Sequence, residues 1–160
     1  MSKSHQVSAG ILLWQKSEVG KPDVFLTHPG GPYFAKKDIG YWGVPKGLIG
    51  EGEDVLTAAL REFKEETGFI LPENISAEPL GYVEKEKTKK IIHCFAVESI
   101  FAELPEFKSN TFKMEWPPFS GNWQEFPEVD KGEMMKWEKA WEYINADQRP
   151  FLERLLELTK

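Results

Sequence analysis

Cysteine is nearly absent from this chain. Cys94 is the only one in 160 residues, so no intramolecular disulfide can form and a cysteine-built zinc site is excluded. It sits in the apolar run IIHCFAV, which predicts buried packing rather than a reactive thiol. Long hydrophobic runs are also missing; none approaches the roughly 20 residues that span a bilayer. The N-terminal MSKSHQVSAG lacks the apolar stretch of a signal peptide, so a cytoplasmic location is expected. There is no excess of positive charge, since 20 Lys and Arg face 26 Asp and Glu for a net charge of −6. That argues against a general nucleic-acid binder, which would carry a basic face. Small phosphorylated substrates stay open, because a bound cation reverses the local field. No internal repeat or low-complexity tract is visible.

The length predicts one domain over residues 1–160, and 41% hydrophobic and 13% aromatic content suffice for a core. Val7 to Trp14 reads as a strand. Ser17 to Asp23, with Gly20 and Pro22, reads as a turn, and Asp23 to Thr27 as the second strand of a hairpin. His28 to Gly40 holds His-Pro-Gly-Gly-Pro and reads as a mobile loop. Tyr41 to Val44 is a short extended piece ended by Pro45, and Gly47, Gly50 and Gly52 predict a loop after it. Leu80 to Glu84 and Ile91 to Glu98 read as strands joined by the charged turn KEKTKK. Residues 99–131, with Pro105, Pro117, Pro118, Gly121 and Pro127, predict irregular structure around a short strand near Thr111 to Glu115. Met134 to Trp137 reads as one more strand. Helices follow at about Glu138 to Ile144 and Arg149 to Leu158, the last with a core stripe of Phe151, Leu152, Leu155 and Leu156. Strands on both sides of a helix, then terminal helices, predict a mixed sheet between helices.

The most informative stretch is residues 47–69, GLIGEGEDVLTAALREFKEETGF. Asp54 is the expected N-cap and Gly68 the expected stop of a helix over Glu53 to Thr67. On that helix Leu56, Ala59, Leu60 and Phe63 fall on one side. Glu62, Glu65 and Glu66 gather on another, because offsets of three and four share a face. Like charges at this spacing destabilise an isolated helix by roughly 0.2–0.5 kcal/mol per pair. A chain that concentrates carboxylates there is read as holding a cation, and hard oxygen ligands select Mg²⁺ or Mn²⁺.

The stretch resembles the Nudix box, G-x5-E-x7-R-E-U-x-E-E-x-G-U, where U is a bulky aliphatic residue. Gly47, Glu53, Arg61, Glu62, Glu65, Glu66 and Gly68 match, while both U positions carry Phe, at 63 and 69. The resemblance implies a Nudix α/β/α sandwich, an α/β (α+β) fold with a mixed β-sheet between helices. It also implies metal-dependent hydrolysis of a P–O–P bond. By position, Glu62 and Glu66 would be the principal metal ligands, Glu65 a further ligand or the general base, and the Gly47 carbonyl a direct ligand. Glu53 would act through water or by holding other ligands, and Arg61 would orient a carboxylate with its fork.

Upstream, YWGVPKG resembles the segment before the box in relatives that hydrolyse diadenosine polyphosphates. This implies that Lys46 points its ammonium at the phosphates, while Trp42 either packs the sheet or lines the pocket. FPEVD puts Glu128 on a loop, where many Nudix proteins carry a base or an extra metal ligand; Asp130 and Glu133 compete for that role. The segments EWPPFSG, FPEVD and QRPFLERL resemble bacterial Nudix proteins described as nucleoside-triphosphate pyrophosphohydrolases. A base platform is sought among Tyr33, Phe34, Tyr82, Trp116, Phe119 and Trp123, with Tyr82 taken as a substrate contact. His28 and His93 are candidate phosphate donors, although His93, inside an apolar strand, reads better as structural. The expected function is Mg²⁺-dependent cleavage of a nucleoside polyphosphate, with a dinucleoside polyphosphate such as diadenosine tetraphosphate leading. A nucleoside-triphosphate pyrophosphatase is the alternative, and a non-catalytic nucleotide sensor the reading from another class. Membrane and nucleic-acid partners are not expected, and the acidic charge lowers an RNA 5′-pyrophosphohydrolase.

Overall fold

The computed structural model describes residues 6–160. Eight strands and three helices follow in order: β1 (Gln6–Gln15), β2 (Asp23–Pro29), β3 (Lys46–Leu48), α1 (Val55–Thr67), β4 (Glu78–Lys85), β5 (Lys90–Glu98), β6 (Thr111–Glu115), β7 (Trp123–Pro127), β8 (Val129–Met135), α2 (Trp137–Tyr143) and α3 (Arg149–Leu158). A 3-10 turn at Ala146–Gln148 leads into α3.

The main sheet runs β4-β5-β1-β2-β8, with β3 also paired to β1. It is mixed, since β1 and β5 are parallel from Gln6↔Lys90 to Trp14↔Glu98 while the other pairings are antiparallel. The far edge of β1 is shared. Trp14 and Gln15 pair with β2, whereas Ser8 to Gly10 pair with β3. Side chains alternate across the sheet, and two cores result. Ala9, Ile11, Leu13 and Phe25 pack under α1 with Ala58, Ala59 and Phe63. Leu12, Val24 and Leu26 pack on the opposite face with Ala140, Phe151, Leu152 and Leu155 of α2 and α3. This is the α/β/α sandwich that the box resemblance implies.

The two Phe residues in the box fill the α1 core. Phe69 is buried and its ring meets Phe25, Phe63, Phe101 and Phe107. Gly132 makes room for them, because a Cβ there would strike the rings of Phe25 and Phe107. Apolar aromatics thus replace aliphatics without exposing the helix.

Four sequence expectations need correction. Lys46–Leu48 is strand rather than loop, because Ser8–Gly10 offers it a distant partner. His28 and Pro29 end β2 instead of opening the loop, held by pairing with β8. Segment 99–131 holds a second strand, β7, which pairs with β6 as a separate two-stranded sheet from Thr111↔Pro127 to Glu115↔Trp123. The last strand covers Val129–Met135, and Trp137 begins a helix instead of ending that strand.

Candidate active site

The site is built where α1 crosses β1 and β3. Asp54 caps α1 by accepting from the Thr57 N–H, and Gly68 closes it in the left-handed conformation at φ 78°. With these ends fixed, Glu62 and Glu66 turn inward toward β3, and they are only 8% and 7% exposed. Glu65, on the same helix, stays exposed at the rim. Gly47 lies directly against Glu62, and any Cβ at 47 would collide with that carboxylate. Only glycine permits this approach of backbone to carboxylate.

Arg61 organises the carboxylates. Its Nε and Nη2 donate to Glu53 at 2.8 and 2.9 Å, and Nη1 donates to Glu62 at 2.8 Å and to Glu65 at 3.2 Å. Nη2 also donates to the Leu48 carbonyl at 3.1 Å. The Arg61 hydrogen bond and the Gly50 N–H hold the Glu53 carboxyl down at about 2. Glu62 is pushed up by burial, against the pull of Arg61. Glu66 is pushed up to about 8, first by burial and then by the charges of Glu128 and Glu62, with Lys46 opposing them. A buried carboxylate among like charges favours a cation or a proton.

Glu128 reaches the site through backbone pairing. The last carbonyls of a helix need partners, and here the Asn110 N–H donates to the Glu65 carbonyl at 2.8 Å and the Lys108 N–H to that of Thr67 at 2.9 Å. The Glu128 N–H donates to the Asn110 carbonyl, and the Gly30 N–H donates to the Glu128 carbonyl, each at 2.9 Å. One ladder therefore ties the end of α1, the Glu128 loop and the 30–34 segment together. Its competitors are engaged elsewhere: Asp130 bonds His28 at 2.8 Å and Glu133 bonds Lys139 at 2.7 Å.

Lys46 joins the group. Burial pushes its ammonium down, while Glu66, Glu62 and Glu128 pull it up. Gly10, its partner across the β1–β3 pair, leaves it room, since a Cβ at 10 would strike the Pro45 carbonyl and the Lys46 Cβ.

The two remaining substrate candidates lie further out. Trp42 is 4% exposed within the α2/α3 core, and its indole N–H donates to Asp38 at 2.7 Å. Of the two roles open to it, packing is the one its position fits. Tyr82 is exposed and rests on His93 with ring centroids 5.5 Å apart. Tyr82, His93, Ala9 and Gly47 form one row across the sheet, so at about 4.8 Å per strand Tyr82 stands about 14 Å from Gly47. It is not brought to the carboxylates. Cys94 is buried, and burial raises its thiol far above the ordinary range.

His28 was invisible as an anchor in the sequence. It is fully buried, and its ring nitrogens face Asp130 and the Lys37 carbonyl, which pins the 30–40 segment to the sheet. Gln148 was also missed: its Oε1 accepts from the Val44 N–H at 2.9 Å, and Gly43 leaves space for its amide. The His28–Asp130 and Val44–Gln148 partnerships each join residues about a hundred positions apart, so no local pattern announces them.

The donor set suits a hard divalent ion. It offers two buried carboxylates, a third at the rim and a carbonyl beside a glycine that cannot be replaced. Among the described residues no three Asp, Glu, His or Cys side chains converge as a metal-ligand group; Arg61 holds Glu62 and Glu65.

Comparison with known proteins agrees with this architecture. The family model described as NUDIX domain matches residues 4–155. Nudix hydrolase 7 of Arabidopsis thaliana is 30% identical over 140 residues, covering 84% of this chain and 46% of that protein. The ADP-ribose pyrophosphatase of Saccharomyces cerevisiae is 36% identical over 107 residues, covering 66% of this chain and 44% of that one. The chain thus spans less than half the length of these curated relatives. Among solved structures, a binary complex of a C. elegans Ap4A hydrolase superposes with a TM-score of 0.67 at 19% identity, covering 96% of this chain and 97% of the other. Nudix hydrolases generally use divalent metal ions. By its box, its fold and the family match over nearly its whole length, this chain belongs to the Nudix hydrolase family.

Proposed function

We propose that this chain, as one Nudix domain over residues 1–160, hydrolyses a P–O–P bond in a nucleoside polyphosphate, with a dinucleoside tetraphosphate as its best substrate. The observation that carries the reading is the pair of buried carboxylates, Glu62 set against Gly47 and Glu66 close to the cation Lys46. Glu62, Glu66 and the Gly47 carbonyl would hold a divalent ion, Mg²⁺ or Mn²⁺, with Glu65 as a further ligand or the general base. Such an ion, when bound, neutralises phosphate charge and acidifies water.

The chain's own residues supply the rest. Arg61 keeps Glu53, Glu62 and Glu65 in fixed positions. Lys46 offers its ammonium to a phosphate oxygen. Glu128 is exposed beside the carboxylates, where it can accept a proton from the attacking water. The long phosphate chain is favoured by the YWGVPKG segment that carries Lys46.

A second reading is ADP-ribose as substrate, favoured by the likeness to the yeast ADP-ribose pyrophosphatase. Turnover of a panel separates the two: a dinucleoside tetraphosphate, ADP-ribose, a nucleoside triphosphate and 5′-triphosphorylated RNA, with Mg²⁺ or EDTA. Under the first reading the dinucleotide is cleaved asymmetrically, in an EDTA-sensitive reaction, to a nucleoside monophosphate and a nucleoside triphosphate. A preference for ADP-ribose selects the second reading, and monophosphate plus pyrophosphate from the triphosphate selects the pyrophosphatase alternative. No cleavage of any member refutes all three.

A further inference from the structure

We propose that the aromatic surface shared by residues 33–41 and the β6–β7 hairpin is a platform for the nucleoside at the far end of a polyphosphate substrate. The proposal rests on the pyrophosphohydrolase reading above and extends it to a site that the box does not contain.

Among the described residues, six large aromatic side chains stand exposed: Tyr33, Phe34, Tyr41, Tyr82, Phe119 and Trp123. All except Tyr82 belong to these two segments. Scattered exposed apolar residues need no explanation, but a cluster marks a binding surface. Phe119 is 98% exposed and Trp123 is 68% exposed, so neither supports the hairpin from within.

The two segments form one surface. Tyr33 meets Trp116 in an edge-to-face contact with centroids 5.1 Å apart, and Phe34 meets Tyr41 at 6.3 Å. Gly31 lies against the Phe112 ring, where a Cβ would be 3.0 Å away. Lys37 sits over the Tyr41 ring at 5.5 Å, which places a cation beside the aromatics.

The hairpin is anchored beside the carboxylate site. The base of the hairpin is held by the Asn110 N–H on the Glu65 carbonyl and by the Glu128 N–H on the Asn110 carbonyl. From Thr111 to Glu115 the strand then rises about 14 Å, at about 3.4 Å per residue, and Trp116 lies beyond. A nucleoside attached to the phosphorus under attack stays beside the carboxylates. A second nucleoside, carried outward on a chain of phosphates, reaches the hairpin. Aromatic rings suit it, because every base presents a π-face.

The test compares the wild type with Tyr33→Ala and Tyr33→Phe. Each would be assayed on a dinucleoside tetraphosphate and on a nucleoside tetraphosphate that lacks the second nucleoside. Removal of one stacking ring is expected to raise KM for the dinucleotide roughly 5- to 150-fold. Little change in kcat or in the smaller compound is expected, and Tyr33→Phe should restore binding. Equal losses on both compounds, or no loss on the dinucleotide, overturn the proposal. If the wild type cleaves neither compound, the enzymatic reading fails on its own, and calorimetry with a methylene-bridged dinucleoside tetraphosphate decides the platform. Binding that depends on Tyr33 keeps it; binding that ignores Tyr33, or no binding, overturns it.

Discussion

Replacing Glu66 with Gln separates what this residue does for stability from what it does for activity. The side chain is 7% exposed, and its carboxyl is pushed from 4.5 up to about 8. The native state therefore holds a proton between those values that the unfolded chain has released, and stability falls as pH rises across that window. At about 1.4 kcal/mol per tenfold change in proton affinity, the stability lost relative to low pH is about 1 kcal/mol at pH 5, about 3 at pH 7 and approaches 5 above pH 8. Part of the cost comes from Glu128, which is exposed and screened by solvent, so roughly 2–4 kcal/mol is expected at pH 9. Glu66→Gln removes the charge at nearly constant shape. Urea unfolding in EDTA should thus show the variant close to the wild type at pH 5 and more stable at pH 9. Added Mg²⁺ should reverse the order, because only the wild type gains from binding the ion, and the variant should lose nearly all turnover. Parallel stability of the two proteins from pH 5 to pH 9 would refute the assignment of a buried, proton-seeking carboxylate at 66.

Three further outcomes follow from the same geometry. Lys46→Ala should lower kcat/KM on polyphosphates by roughly 10- to 100-fold, the worth of a charged hydrogen bond, while divalent-ion binding persists; an unchanged kcat/KM removes Lys46 from the site. Gly47→Ala forces a methyl into the Glu62 carboxylate and should cost about 1–3 kcal/mol together with activity; a normal melting temperature and rate would show that the two groups part freely. Cys94, buried with its thiol raised, should react with a thiol reagent only on unfolding, and fast labelling of the native protein would contradict the packing described.

Much of α1 was legible because its signals are local. Asp54 and Gly68 cap it as their residue types dictate, but the burial of Glu62 and Glu66 was not legible, because helical spacing groups them with the exposed Glu65 on a face apart from the apolar residues. The strands β1, β2, β4 and β5 were legible within a few residues for the same reason. What escaped depends on distant partners. Lys46–Leu48 looks like a glycine loop until Ser8–Gly10 lies beside it. In β8, the KGE at 131–133 hides a strand whose glycine is needed by Phe25 and Phe107. The exposed WQEFP of β7 has no apolar alternation to betray it, since its pairing with β6 stands off the main sheet. Within the site, Glu53, Glu62 and Glu65 lie together around Arg61, whereas Trp42 and Tyr82 lie apart. Nothing in the order of residues distinguishes an aromatic in the core from one at an edge.

Glu62, Glu66 and the Gly47 carbonyl are proposed to hold a divalent ion, and titration of Mn²⁺ into the protein, with the free ion followed by electron paramagnetic resonance, measures that binding without a substrate. Saturable uptake is expected in the wild type, strengthening as pH rises toward 8, where Glu66 gives up its proton, and it should be lost in a Glu62→Gln, Glu66→Gln double variant that still folds. Equal uptake by both proteins, or none by the wild type, would contradict it.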